Sequence, residues 1–60
     1  MNECKLAYAV NMDTFERDFI GVVYDNYEIQ ELLNDYRRRY PKMRFMIVTE
    51  TAYEWVDEND

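Results

Sequence analysis

The side chains of this chain that could do chemistry are carboxylates, tyrosines and a cluster of arginines. Its sixty residues include 13 Asp and Glu and 6 Tyr, but no His, one Cys and one Gly. Most side-chain catalysis near neutral pH uses His, an activated Cys, or a metal held by both. Phosphate-binding loops need several glycines. The composition therefore predicts a protein that is not an enzyme and uses no cofactor or metal.

Paired carboxylates could do acid–base work, as in glycosidases. Here the acids fall in predicted helix caps, turns and the tail, where structural roles account for them, and so short a chain has little room for a deep pocket. Tyrosines and Trp55 are expected to be core or interface anchors, because rings give a large contact area at low entropy cost. Cys4 is expected to be a small apolar filler.

Charge is divided into three blocks. Residues 1–36 carry eight acidic and two basic side chains, residues 37–49 carry five basic and none acidic, and residues 50–60 carry five acidic and none basic. Arginines interleaved with rings can bind phosphates, but a helix C-terminus also favours cations. The acidic blocks would repel a polyanion, so direct nucleic-acid binding is not expected. The predicted charged surface consists of Arg37, Arg38, Arg39, Asp57 and Glu58.

Alternation at every second position predicts strands over residues 3–12, 19–24 and 43–49. In the first, the set expected to face the core is Cys4, Leu6, Tyr8, Val10 and Met12. Gly21 in the second predicts a bulge, or a place where another backbone or a large ring comes close. The third is apolar on both faces, which favours a central position. Residues 51–56 fit either a fourth strand, which their Tyr, Trp and Val favour, or a short helix.

The clearest element is a helix over residues 25–40. Asp25 is a good N-cap, and Glu28 has the capping-box spacing. Apolar residues recur at i, i+3, i+4, i+7 and i+11 from Ile29, and Pro41 ends the helix. Asp35 and Arg39 are spaced for an i, i+4 ion pair. Residues 57–60 are expected to fray at the end of a single domain that spans residues 1–60.

The element order predicts a small α+β fold, β-β-α-β, with a three- to four-stranded antiparallel or mixed sheet and one helix on one face. A crossover through the helix places the third strand beside the first, so that the second and third strands flank it. The other face has nothing to cover it, although Met46, Val48 and some of Ile20, Val22 and Tyr24 must point there. An uncovered apolar face is a partner or self-association surface.

These features predict a small non-enzymatic regulator or inhibitor that binds a protein, of the accessory type found in phages and other mobile elements. The expected partner-binding residues are Tyr53, Trp55, Met46 and Val48. Two alternatives remain. One is a structural homo-oligomer, a dimer or ring built through the same face or by pairing of edge strands, with a homodimer the expected form. The other is an acidic mimic of DNA that blocks a nucleic-acid-binding protein. No segment has the length of a membrane helix. A lone cysteine and an N-terminus without the form of a signal peptide predict a cytoplasmic protein.

Overall fold

The computed structural model describes residues 2–54, which form three strands and one helix. Strand β1 spans Asn2–Asn11, β2 spans Arg17–Val23, helix α1 spans Asn26–Arg39, and β3 spans Phe45–Glu54. The strands make one antiparallel sheet in the order β2-β1-β3. This architecture confirms the predicted α+β class and the predicted flanking of the first strand by the other two.

Two expectations about β3 are wrong. It lies at an edge of the sheet, and the central strand is β1. Residues 51–54 are extended, as favoured, but they continue β3 and make no fourth strand. The β1–β3 register runs without a shift from Asn2 opposite Glu54 to Asn11 opposite Phe45. The predicted third strand and residues 51–54 therefore pair with β1 in one continuous ladder. The remaining predictions, for residues 55–56 and for fraying of 57–60, lie outside the described residues.

Helix α1 follows its sequence signals closely. The Asp25 side chain caps it by accepting a hydrogen bond of 2.8 Å from the Glu28 backbone N–H. The Glu28 side chain reaches back and accepts from the Tyr24 N–H at 3.2 Å. At the other end, the Tyr40 N–H donates to the Tyr36 carbonyl. The predicted pair of Asp35 and Arg39 is present at 3.1 Å.

The helix covers the face of β1 that carries small side chains. Ala7 and Ala9 are 0% and 2% exposed, whereas Leu6, Tyr8 and Val10 are only half-buried. The predicted core set of β1 is therefore wrong, except that Cys4 is buried. A helix packs closely on a sheet where side chains are short, so the alanines define the covered face.

A bulge at Gly21 lets the helix approach β2. The β1–β2 register shifts there: Ala7 lies opposite Gly21 and Tyr8 opposite Phe19, which leaves Ile20 as the extra residue. Gly21 has φ +155°, a region that residues with a Cβ rarely adopt, and an added Cβ would lie 3.5 Å from Leu32 Cδ1. The bulge predicted for this glycine is confirmed, whereas the neighbouring group is the Leu32 side chain and not the backbone or large ring that the alternative predicted.

Candidate functional site

The face of the sheet away from the helix, here called the open face, carries most of the large side chains of the strands. Directly paired residues share a face, so the register assigns its members. No described element packs on it. The open face includes Cys4, which is buried, and Leu6, Tyr8, Val10, Arg17, Phe19, Val22, Met46, Val48, Glu50 and Ala52.

Tyr8 lies at the centre of the open face, on the central strand. Its ring meets the Phe19 ring edge-on, with centroids 5.6 Å apart and planes at 61°. The guanidinium carbon of Arg17 lies 5.3 Å from the same ring centroid, within cation–π range. Tyr8 is thus held between an aromatic and a cationic neighbour, both from β2.

The Arg17 side chain crosses the face and reaches β3. Its Nη1 lies 3.0 Å from Glu50 Oε1, and both side chains are about half exposed. Exposed ion pairs of this kind contribute about 0.2–1 kcal/mol, so this pair adds little to the stability of the fold. Around it the apolar groups remain open to solvent, with Phe19 53%, Met46 48% and Val22 41% exposed.

A second exposed aromatic lies in the loop between β1 and β2. Phe15 is 73% exposed and has φ +62°, which is rare for a residue with a Cβ. The loop is held by the Asn11 side-chain oxygen, which accepts from the N–H groups of Asp13 at 2.8 Å and Thr14 at 3.1 Å. Arg44 also pairs with Asp13 at 2.9 Å. Asn11 and Thr14 are turn-forming residues, but nothing in the sequence marks Phe15 as the left-handed position.

On the helix side, Tyr36 joins the helix to both outer strands. Its hydroxyl donates to Asp18 Oδ2 at 3.3 Å. Its ring packs against the rings of Tyr40 and Phe45, with 4.8 Å between ring centroids in each pair. Burial, followed by the charge of Asp18 and their hydrogen bond, raises the pKa of Tyr36. A phenol with a raised pKa stays neutral at physiological pH, so it acts here as a hydrogen-bond donor.

Two shallow grooves flank this tyrosine, one of about 310 Å³ and one of about 300 Å³, and both are lined by Asp18, Tyr36 and Tyr40. They are open to solvent, and the Tyr36 hydroxyl that lines both is already hydrogen-bonded to Asp18. Within residues 2–54, no group of three or more Asp, Glu, Cys or His is placed to hold a metal ion. The grooves therefore give less support to a function than the open face does.

The structure separates the residues predicted to bind a partner. Met46 and Val48 lie on the open face. Tyr53 pairs with Glu3 and so lies on the opposite face, where it is 59% exposed. Trp55 lies outside the described residues, so the structure does not bring the four together. Val22 of β2, one of the residues expected on the uncovered face, also lies there. Tyr8 and Phe19 were missed, because the sequence assigned Tyr8 to the core.

The predicted charged surface is described only in part. Arg37, Arg38 and Arg39 form the exposed last turn of α1, while Asp57 and Glu58 lie outside the described residues. Tyr36, one of the rings interleaved with the arginines, is buried. It packs against Tyr40 and Phe45 and is not presented to a nucleic-acid base.

Comparison with known proteins gives no match: no family model fits the chain, and neither a curated protein nor a solved structure is detectably similar to it. Among residues 2–54, no helix is both long enough and apolar enough to cross a membrane. Function must therefore be argued from the surfaces of the molecule itself.

Proposed function

We propose that this chain is a small non-enzymatic regulator or inhibitor that binds another protein through its open face. The observation that carries the proposal is the size of the side chains there. Phe19, Met46 and Val22 are each more than two-fifths exposed on a sheet face that no described element covers. Burying such groups against a partner is favourable at about 25 cal/mol per Å² of apolar surface.

The partner we propose is a basic protein with an apolar patch. The chain has a net charge of −6, which favours encounter with a positively charged surface. The patch is required because the open face would be desolvated in the complex. The Arg17–Glu50 pair lies across the face and supplies one group of each sign to fix the orientation.

The setting and type of protein remain those that the sequence predicts. A single cysteine suits a reducing cytoplasm, since it can form no internal disulfide. An accessory protein of a phage or another mobile element would use such a compact binding face to block a host protein. This part of the proposal rests on analogy of size and charge.

The test uses variants that place charge on the open face without touching the helix side. The full chain is immobilised and used to retain proteins from a lysate, beside a Phe19→Asp/Val22→Asp variant. A Gln30→Asp/Asn34→Asp variant on the exposed side of α1 adds the same charge as a control. We expect a basic protein that is retained by the native chain and the helix variant and lost by the open-face variant. Far-ultraviolet circular dichroism checks that all three are folded.

The purified pair is then examined by oxidative footprinting and by titration calorimetry at low and high salt. Met46 should be protected from oxidation in the complex, and Met46→Asp should lower the affinity at least tenfold. Equal binding by the open-face variant would disprove the proposal. Binding that disappears at high salt but tolerates the apolar substitutions would instead favour the acidic DNA mimic.

A further inference from the structure

The two edges of the sheet differ in how well they are protected from pairing with another strand. Strand β2 has seven residues, a bulge beside Gly21, and helix α1 packed against it. Strand β3 has ten residues and pairs with β1 without any register shift. Its sequence contains no Pro, Lys or Arg. Short strands, bulges, prolines and charged side chains, above all lysines, are the usual devices that blunt an edge, and of these β3 has only its two glutamates, Glu50 and Glu54.

One backbone hydrogen bond fixes which groups point outward from this edge. The Met12 N–H donates to the Arg44 carbonyl at 2.8 Å, which continues the β1–β3 ladder by one pair. In an antiparallel ladder, hydrogen-bonded pairs alternate with pairs that are not bonded to each other. Even-numbered residues of β3 therefore bond β1. The residues whose N–H and C=O point away from the sheet are Phe45, Ile47, Thr49, Thr51 and Tyr53.

We propose that this edge pairs with β3 of a second copy, antiparallel and centred on Thr49, so that two three-stranded sheets become one sheet of six strands. Around a two-fold axis at Thr49, Ile47 lies opposite Thr51 of the second copy and Phe45 opposite its Tyr53. Every hydrogen-bonded pair then joins two outward-pointing residues. Such a pairing is closed, because each copy uses its unprotected edge once.

Charge and length select this register among the alternatives. Centring on Glu50 would place two carboxylates directly opposite each other, which is destabilising. Pairing all ten residues would join outward-pointing groups to groups already bonded to β1. Centring on Thr49 pairs residues 45–53 and places Glu50 opposite Val48 of the second copy. It also makes Phe45–Tyr53 aromatic pairs and a central Thr–Thr pair, both favourable across strands.

The six-stranded sheet would also double the width of the open face. Three strands give a face roughly 14 Å wide, which is small for a stable interface, and six give roughly 29 Å. The inference does not depend on the proposed function, since the edge and the open face are different surfaces. An open-face variant, Phe19→Asp, should therefore remain dimeric even where it loses a protein partner.

Light scattering coupled to size exclusion tests the proposal with the full chain. We expect the native chain to have about twice its monomer mass of 7.4 kDa at high concentration and to approach 7.4 kDa on dilution. Thr49→Lys and Thr49→Asp place like charges opposite each other at the axis, so each alone should be monomeric. An equimolar mixture of the two should regain the dimer mass. The same changes at Thr14, an exposed loop residue, should leave the dimer unchanged.

Several results would overturn the inference. They are a native chain that is monomeric at every concentration, single Thr49 variants that stay dimeric, and a mixture that fails to regain the dimer while circular dichroism shows both variants folded. A dimer lost by Phe19→Asp would indicate association through the open face instead. Aggregates larger than a dimer would exclude the closed two-fold pairing.

Discussion

The two faces of the central strand β1 carry side chains of opposite size. On the helix side the centre is lined by Ala7, Ala9 and Gly21, which are small, and α1 approaches closely enough for Leu32 to touch the glycine position. On the open face the central strand presents Tyr8, flanked by Phe19. The larger apolar groups of β1, with Phe19 beside them, thus lie where nothing in the described chain covers them.

The difference between the two faces separates the side chains that stabilise the monomer from the side chains that are exposed and available to bind a partner. A protein of this size has little apolar surface to bury, so large rings left half exposed lower the stability of the monomer. The helix-covered face should respond strongly to changes of volume, whereas the open face should tolerate them. Comparing substitutions between the two faces tests this division directly.

The largest effect is expected from adding volume under the helix. Ala7 is fully buried, so Ala7→Leu must displace α1 or force strained rotamers, and it should lower the free energy of unfolding by about 3 kcal/mol. Val10→Leu, three residues further along β1 on the open face, should change the free energy of unfolding by less than about 1 kcal/mol. Urea unfolding followed by circular dichroism measures both. Equal costs would show that the two faces are packed alike.

Val22 and Val23 are adjacent in β2 and lie on opposite faces, so the same substitution compares the two faces. Val23 is 1% exposed and Val22 41% exposed. Val23→Ala should cost about 2 kcal/mol, because it removes buried methyl groups and leaves a cavity, and Val22→Ala about 0.5 kcal/mol. The same urea titrations give both values. A larger cost at Val22 would mean that the open face is covered in solution.

The hydrogen bond from Tyr36 to Asp18, beneath helix α1, should make the free energy of unfolding depend on pH. Because the pKa of Tyr36 is raised above its usual value of about 10, its stabilising effect is complete below that pH and is lost as pH rises through the folded-state pKa. Tyr36→Phe should cost about 1 kcal/mol at neutral pH and flatten the decline of stability above pH 10. Urea unfolding of both proteins from pH 8 to 11 measures the free energy of unfolding at each pH. Tyr27→Phe, at an exposed position, should leave most of the decline intact.

The strained loop predicts a gain of stability. Phe15 is exposed and holds a positive φ that Asn adopts more readily, so Phe15→Asn should raise the free energy of unfolding by about 0.5–1 kcal/mol. Thermal unfolding gives the shift of the midpoint. A loss of stability would show that the ring makes contacts in solution that outweigh the strain.

The smallest effect concerns the ion pair on the open face. A double-mutant cycle with Arg17→Met and Glu50→Gln should give a coupling energy of about 0.5 kcal/mol that shrinks at high salt, because both side chains are half exposed. A coupling above 2 kcal/mol would indicate that the pair is desolvated, as it would be beneath a bound partner or a second copy.

Local signals in the sequence were sufficient for the helix, its cap at Asp25, the Asp35–Arg39 pair and the bulge at Gly21. Each depends on residues close in the chain or on one residue's backbone preference. The candidate site was predicted less completely. Met46 and Val48 were placed correctly on the uncovered face, but Tyr53 lies on the other side, and Tyr8 was assigned to the core. Alternation shows which residues share a face, and it does not show which face a distant helix will cover.

The sequence by itself determined the helix, the α+β class and a composition with no His, one Cys and one Gly. The packing of the whole chain decided that β1 is central, that residues 45–54 form one strand, and that the alanine face lies under the helix. The physical reason is that strand order and register arise from pairings between distant residues, whose free energy depends on both partners. A short helix can approach only the face whose side chains leave room for it, and that choice placed Tyr8 and Phe19 on the open face.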